Sequence, residues 1–412
     1  MSLFSGPETV IDEQGEQRRS RWWRALMLLA IAVTLLTAWG GYYLMILYRV
    51  NTFSILCAAA SDQRRWHDLE QLATQWTRWQ PNHAEPWIYA SDAARFQGDL
   101  DRSIEYLHQV PDNTPLTSGT LLRLSDLLFH DKGSPLEAAE VCRRILEQDP
   151  RNVEAHRRLI YIYGMTLDRM NMMLQARRAM DLNCDLPETY IYLLGADWIM
   201  FSGAYELNTR WLENHPDEER FLVSQAIHFA GMPAEDETEP MDELLKSRRE
   251  VQERMVAQAF ERFPQNLELL VFYLRQASNE GDVQRVAQLL GQAPPAALED
   301  NRFWRFKGWL HAATGEHEAA EAAYRQALRR NPFDWRSQYE LADVLRRLRR
   351  HDQVDQWAKL AMEGRALWRT VMELPDVQSA PMSLMNRIAQ YARDCGDNRF
   401  ADCLEYRLAT TQ

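Results

Sequence analysis

The sequence predicts an all-α protein in which one N-terminal transmembrane helix precedes a long array of helical hairpins. Two observations lead to this fold class. Residues 25–48 contain no charged side chain. From residue 50 onward, pairs of helical stretches recur with a spacing of about 34 residues. The composition, with 46% hydrophobic and 26% charged residues, is that of a folded chain.

The uncharged run lies between Arg24 and Arg49 and is long enough to cross a membrane. As a helix its 24 residues extend about 36 Å, more than the roughly 30 Å of a hydrocarbon core. Aromatic residues of the kind found at membrane interfaces stand at both ends, namely Trp22, Trp23, Tyr42, Tyr43 and Tyr48. A cleaved signal peptide has a shorter apolar region and a small-residue cleavage site. We therefore expect an uncleaved anchor, with a buried helix of a soluble protein as the alternative.

The arginines that flank this run predict its orientation. On the N-terminal side stand Arg18, Arg19, Arg21 and Arg24, and on the other side Arg49, with Arg64 and Arg65 further along. Because positive charge is retained on the cytoplasmic side, the N-terminal tail is expected inside and the remainder outside. The sequence thus predicts a single-pass protein of a bacterial inner membrane, anchored through residues 25–48, with periplasmic repeats.

Residues 301–332 show the repeated pattern most clearly. Large residues stand at Trp304 and Tyr324, small ones at Gly308, Ala320 and Ala327, and helix breakers at Gly315 and Pro332. Small residues allow two antiparallel helices to approach closely, and the large ones fill the space between them. This order resembles the tetratricopeptide repeat, a helical hairpin of 34 residues. The resemblance implies a superhelix, because one hairpin cannot bury both of its faces without neighbours.

The same register extends over the rest of the chain. Units start at residues 50, 84, 119, 153, 185, 219, 267, 301 and 335, and a capping pair with a polar outer face follows. We expect about nine to ten repeats in two blocks. The predicted segments are a flexible cytoplasmic tail (1–21), the anchor (22–49), an N-terminal block (50–231), an acidic insertion (232–244) and a C-terminal block with its capping hairpin (245–412). No linker separates the anchor from the first repeat.

Motifs of catalysis and cofactor binding are not found in the sequence. There is no G-x-x-x-x-G-K-[ST], G-x-G-x-x-G, G-x-S-x-G or H-E-x-x-H. The ten histidines do not pair with cysteines at zinc spacing, and the acidic run at 235–243 lacks the glycine of a calcium loop. We predict no enzyme, cofactor or metal site. A net charge of −12 also argues against nucleic acid as a partner.

The five cysteines form no C-x-x-C pair. Cys57 and Cys142 stand at packing positions of their repeats, where small buried hydrophobes are expected. Cys395 and Cys403 flank the last predicted turn. The sequence leaves open whether they form a disulfide, because it does not fix the distance between their Cα atoms.

The resemblance also implies a partner-binding groove. In tetratricopeptide proteins the first helix of each hairpin lines the concave face, mainly through repeat positions 2, 5, 9, 12 and 13. Those positions are occupied here by Arg275, Arg302, Arg305, Trp309, Arg336, Tyr339, Arg346 and Arg347. Such a basic and aromatic surface suits an acidic or extended chain, because guanidinium groups bind carboxylates in pairs of hydrogen bonds. The asparagines of the family's carboxylate clamp are absent, and Trp309 is expected to be exposed. Alternatively, the arginines pair with neighbouring acids.

The leading hypothesis for function is a non-catalytic, membrane-anchored scaffold that binds a protein partner through this groove. A second hypothesis is a carbohydrate-binding or assembly component of an envelope polysaccharide system, since aromatic grooves can hold sugar rings. The third is a regulatory subunit of a membrane enzyme complex.

Overall fold

A computed structural model describes residues 13–111, 114, 116–198, 200–232 and 242–410, with side chains from Met27 and, in the helix that begins at Asp242, from Arg248. The regular structure of these residues is helical, without a β-strand. This confirms the all-α fold class. The first ten α-helices are α1 (Glu13–Asp62), α2 (Trp66–Thr77), α3 (Ala84–Phe96), α4 (Leu100–His108), α5 (Thr117–Asp126), α6 (Pro135–Gln148), α7 (Val153–Met165), α8 (Arg169–Asp181), α9 (Pro187–Leu194) and α10 (Ala204–Asn214). The others are α11 (Glu219–Gly231), α12 (Asp242–Arg262), α13 (Leu267–Glu280), α14 (Val283–Gln292), α15 (Asn301–Ala313), α16 (His317–Arg330), α17 (Trp335–Arg347), α18 (His351–Met372), α19 (Met382–Asp394) and α20 (Asn398–Thr410).

Three short helical turns complete the regular structure of the described residues. Leu127–Asp131 is a π-helical turn, and Pro295–Leu298 and Val377–Ser379 are 3-10 turns. The first helices of the hairpins after α1 start at residues 84, 117, 153, 187, 219, 267, 301 and 335. Each start lies within two residues of the start predicted from the sequence, so the repeat register is confirmed.

Glycine followed by aspartate sets the turn inside several hairpins. Gly98 and Gly281 adopt positive φ angles of 84° and 75°, which L-residues with a side chain rarely adopt. The next residue, Asp99 or Asp282, then accepts a hydrogen bond from a backbone N–H of the second helix. The glycine ends the first helix and the aspartate caps the second, so this dipeptide alone specifies the hairpin turn.

The chain divides into two compact units, one up to Thr120 and one from Leu121 onward. Across the two-block division predicted at residues 232–244, α11 packs against α12 and α13 within the second unit. Residues 233–241, which hold most of the acidic insertion, lie outside the described residues.

In the first unit, α1 is one unbroken helix of 50 residues. Its part from Met27 to Asp62 contains an 18-residue stretch with a mean hydropathy of 1.7 and is long and apolar enough to cross a membrane. Near the C-terminal end of α1, Phe53, Cys57 and Ala60 are buried in a core shared with α2 and α3. The apolar helix therefore continues directly into the first helix of the first hairpin. The side chains of Trp22 and Trp23, and of the arginines before them, lie outside the described residues.

A close helix crossing at Gly308 confirms the small-residue pattern. A Cβ atom at this position would lie 2.7 Å from the ring of Tyr324, which is fully buried. Trp304 was expected in the same gap but is only partly buried, and its indole N–H donates to the Leu298 carbonyl at 2.8 Å. Tyr324 therefore fills the crossing without it.

The C-terminal hairpin α19–α20 exposes polar side chains such as Arg387, Asp402 and Glu405. It packs against α18 and also against α9. The rings of Tyr190 and Phe400 meet edge to face at 5.0 Å, and Arg407 pairs with Asp185 at 3.1 Å. The C-terminal hairpin thus packs back onto the α9 region, and this contact is called the closure of the second unit.

All five cysteines are free thiols. Cys57 and Cys142 are fully buried, as predicted. Burial raises the pKa of Cys57 and of Cys395 to about 12. Cys395 accepts a hydrogen bond from Gln338, and Cys403 is buried beside the Met180 carbonyl. The disulfide left open by the sequence is not formed.

Candidate functional site

The predicted groove residues lie on the first helices of three successive hairpins of the second unit. Helix α13 contributes Arg275, α15 contributes Arg302, Arg305 and Trp309, and α17 contributes Arg336, Tyr339, Arg346 and Arg347. The structure divides them into three groups, which are arginines in buried ion pairs, arginines without an ion pair, and side chains at the exposed edge.

Arg302 belongs to the first group. Its side chain is only 4% exposed, and its Nη2 atom lies 2.6 Å from Asp300 and 2.5 Å from Glu268. Asp300 is the N-cap of α15, and Arg169 of α8 donates to Glu268 at 3.1 Å. Burial alone would raise the pKa of Glu268, but the charges and hydrogen bonds of Arg302 and Arg169 lower it to about 2. Glu268, which both arginines bind, therefore joins α13 to α8 and α15.

Arg305 also lies in a buried ion pair. Its Nη1 atom is 2.9 Å from Asp334, the N-cap of α17, and 3.4 Å from Asp197. Asn301 donates to the same Asp197 carboxylate at 2.5 Å. Burial and the neighbouring Asp334 raise the pKa of Asp197. Arg305 and Asn301 thus bind a carboxylate that comes from the segment after α9.

These contacts correct the prediction for Arg302 and Arg305. The sequence placed both on an open groove that receives an acidic segment of a partner, but Ala196 and Asp197 of the same chain lie there. Arg169 donates to the Ala196 carbonyl at 2.6 Å and so fixes this segment in place. A buried guanidinium is costly unless it is paired. Both arginines meet this requirement within the chain and are not available to a partner.

Arg275 and Arg336 form the second group. Among the described residues, neither forms an ion pair. Each guanidinium instead lies over an aromatic ring of its own helix, Arg275 at 5.7 Å from the Phe272 centroid and Arg336 at 4.5 Å from the Trp335 centroid. Desolvation, and next the charge of Arg305, lower the pKa of both arginines, although Arg275 keeps an exposed surface and only Arg336 is half-buried. Positive charge at these two positions is therefore not neutralised within the described structure.

The remaining residues lie at the edge of this surface. Tyr339 is 62% exposed. Trp309 packs partly against the core that contains Leu274 and Phe306, so it is not the fully exposed indole that was expected. Arg346 and Arg347 are exposed and both pair with Asp343 of their own helix, at 3.0 and 2.9 Å. The groove surface is defined from here on as Arg275, Trp309, Arg336, Tyr339, Arg346 and Arg347.

Sequence reasoning missed the acidic half of the buried network. Asp300 and Asp334 are 34 residues apart, and each stands two residues before an arginine and directly before a first helix. This recurring acid-x-Arg pattern could have indicated them. Asp197 had no such signal, because it lies in the connection between α9 and α10 and precedes no first helix.

Comparison with known proteins agrees with the repeat assignment. A family model described as tetratricopeptide repeat matches residues 90–153 and 307–353, so the chain contains tetratricopeptide repeats. No curated protein matches the chain.

Similar solved structures belong to repeat proteins of low sequence identity. A tetratricopeptide repeat protein from Parabacteroides merdae is 15% identical, with 64% of this chain and 98% of that chain covered and a TM-score of 0.29. The MamA protein is 21% identical, with 43% and 90% covered and a TM-score of 0.24. Yeast Tom70 is 13% identical, with 87% and 89% covered and a TM-score of 0.26. The assignment therefore rests on the family model and the helix register.

Proposed function

We propose that this protein is a non-catalytic, membrane-anchored scaffold that binds a protein partner through the groove surface at the cell envelope. The observation that carries the proposal is the pair Arg275 and Arg336. Both lack a carboxylate partner among the described residues, although Arg302 and Arg305 beside them are fully paired. The positive charge of the pair is available to a ligand.

The chemistry of these arginines favours an acidic or extended segment as the ligand. A guanidinium that has lost part of its hydration gains most from a carboxylate, which accepts two parallel hydrogen bonds. Tyr339 and the exposed edge of Trp309 offer aromatic surface beside the charge. Aromatic residues and arginine are the types that dominate binding energy at protein interfaces.

Helix α1 supports anchoring in the membrane. Side chains such as Leu28, Leu35 and Leu44 are more than 60% exposed in the described structure, which a bilayer would cover. The arginines at 18–24 support a cytoplasmic N-terminus and therefore repeats outside the cytoplasm. The compartment of the partner would then be the periplasmic side of the inner membrane.

Site-specific photocrosslinking in cells tests the partner site. A photoreactive phenylalanine replaces Tyr339 in the full chain, and the crosslinked partner is identified by mass spectrometry. The double variant Arg275→Gln/Arg336→Gln should reduce the crosslink at least about tenfold, since charge-assisted hydrogen bonds contribute about 1.5–3 kcal/mol each.

The control is Arg329→Gln, which makes the same type of substitution once, at an exposed position of the second helix α16. It should leave the crosslink unchanged. Equal yields from the double variant and the unmodified chain would exclude the groove surface as the binding site.

A further inference from the structure

A cavity of about 660 Å³ lies in the second unit and shares no lining residue with the groove surface. Its walls come from the end of α5 with the π-helical turn, from α7 and α9, from residues 200–202, and from the end of α18 with the following residues 374–378. The 3-10 turn that begins at Val377 packs against α9. The cavity is therefore a product of the closure and has no counterpart in the repeat pattern.

One wall of the cavity is aromatic. The rings of Phe129 and Tyr161 meet at 5.8 Å, and those of Tyr192 and Phe201 at 5.3 Å. Core side chains support these rings from behind, so the rings are held in place. Within the described residues, neither the Tyr161 nor the Tyr192 hydroxyl has a hydrogen-bond partner. Two hydroxyl groups in the wall are thus free to bind a ligand.

The other wall carries ionic groups that are fixed by their own pairs. Arg158 lies 2.9 Å from Asp126 and 2.9 Å from Glu154. Arg157 lies 3.5 Å from Glu188, which is buried. A paired carboxylate keeps free lone pairs, and a paired guanidinium keeps free N–H groups. The wall therefore presents an array of donors and acceptors at fixed positions.

The charge balance of the lining restricts the ligand. Four carboxylates, Asp126, Glu154, Glu188 and Asp376, face two guanidiniums, those of Arg157 and Arg158. An anionic ligand is repelled here, in contrast to the groove surface. Three of the carboxylates share the two guanidiniums, and Asp376 accepts a hydrogen bond from the Gln378 N–H, so each carboxylate already has a partner within the chain. A neutral ligand that has many hydroxyl groups and one apolar face fits both walls.

We propose that this cavity binds a neutral saccharide of about one to three rings, a size that suits a pocket of this volume. The C–H face of a sugar ring packs on the aromatic wall, and its hydroxyls bond to Glu188, Arg157 and the two tyrosine hydroxyls. The cavity and the groove surface are separate sites, so this inference does not rest on the proposed protein partner.

Isothermal titration calorimetry on the full chain tests the proposal. The chain is kept in a detergent without a sugar headgroup, because a maltoside would itself compete. The neutral probes are cellotriose, maltotriose and chitotriose, and the charged probes are hexaglutamate and hexalysine. At least one neutral trisaccharide should bind. Hexaglutamate should give no heat of binding that differs between the unmodified chain and the cavity variants.

Variants of the walls locate the binding. Tyr161→Phe should weaken the saccharide about fivefold and Glu188→Gln about tenfold, as expected for loss of a neutral and of a charged hydrogen-bond partner. The control is Tyr163→Phe on the same helix, whose hydroxyl bonds to Arg143 outside the lining. It should change the affinity less than twofold. If Tyr161→Phe lowers the melting temperature, its weaker binding could reflect lost stability. Glu188→Gln keeps the side-chain volume, so its affinity then serves as the test.

Two results would overturn the proposal, namely no binding of any neutral probe, or cavity-dependent binding of hexalysine alone. Binding of hexalysine alone would mean that the cavity binds a basic side chain of a partner. The double variant Arg275→Gln/Arg336→Gln should leave the saccharide affinity unchanged. Loss of the partner crosslink and loss of saccharide binding are therefore separable.

Discussion

The guanidinium of Arg305 lies 2.9 Å from both carboxylate oxygens of Asp334, the residue that caps the first helix of the next hairpin. The two side chains are 12% and 1% exposed, so the pair is screened from water. One ion pair thus joins two hairpins, and through Asp197 it also joins them to the segment after α9.

Removing this arginine should destabilise the second unit strongly. Arg305→Ala leaves Asp334 and Asp197 buried without a counter-charge, which costs about 3–5 kcal/mol. Arg346→Ala removes an exposed pair and should cost no more than about 0.5 kcal/mol. Urea unfolding followed by circular dichroism measures both. Equal stabilities of the two variants would contradict the structural role assigned to Arg305.

The stability of the unit should fall with acidification below pH 4.5, in a way that depends on Glu268. The pKa of Glu268 is about 2 in the folded protein against an ordinary value of 4.5. A carboxylate with a lowered pKa stabilises the folded state above the ordinary value and loses this contribution as the pH falls toward the folded value. Between pH 5 and pH 2 the melting temperature of Glu268→Gln should therefore change less than that of the unmodified chain. Parallel melting curves would exclude this linkage.

Gly308→Ala should destabilise the α15–α16 hairpin by about 1–3 kcal/mol, because the new Cβ meets the Tyr324 ring at 2.7 Å. Gly291→Ala is the matched control, since nothing lies within 4 Å of a Cβ at that helical position. Alanine favours the helix there and should stabilise it by up to about 1 kcal/mol. Thermal unfolding of both variants gives the comparison, and a neutral Gly308→Ala would contradict the close crossing.

Protease treatment of intact spheroplasts tests the orientation in the membrane. If the N-terminus is cytoplasmic, the protease should degrade the chain from residue 50 onward and leave a short fragment that contains α1 up to the bilayer. A cytoplasmic reporter protein serves as the control for intact membranes. Full protection of the repeats would reverse the proposed orientation.

The sequence predicted those features that depend on residues close together in the chain. Hairpin starts, the Gly98 turn and the Gly308 crossing all follow from local spacing and from the size of single residues. The prediction that Trp304 fills the Gly308 crossing was wrong. Its indole N–H donates to the nearby Leu298 carbonyl, and the ring stays partly outside the crossing.

Features that join distant segments could not be predicted. The contact between Tyr190 and Phe400 spans 210 residues, and Asp197 reaches Arg305 from an irregular segment. A repeat pattern describes each hairpin and its immediate neighbours only. The pairing of Arg302 and Arg305 within the chain, and the cavity behind α9, both depend on such contacts.

The unbroken helix α1 has a mechanical consequence for the first unit. A helix of this length bends only gently unless a proline, a glycine pair or a similar defect kinks it. Residues 27–62 contain no proline, and the helix is continuous through Gly40 and Gly41. If α1 spans the bilayer as proposed, it acts as a lever whose far end is built into the core around Phe53 and Cys57. A thinner bilayer that tilts the helix would then rotate the first hairpin by the same angle. Membrane thickness would thus be transmitted to the repeats as a change of orientation, without any hinge between them.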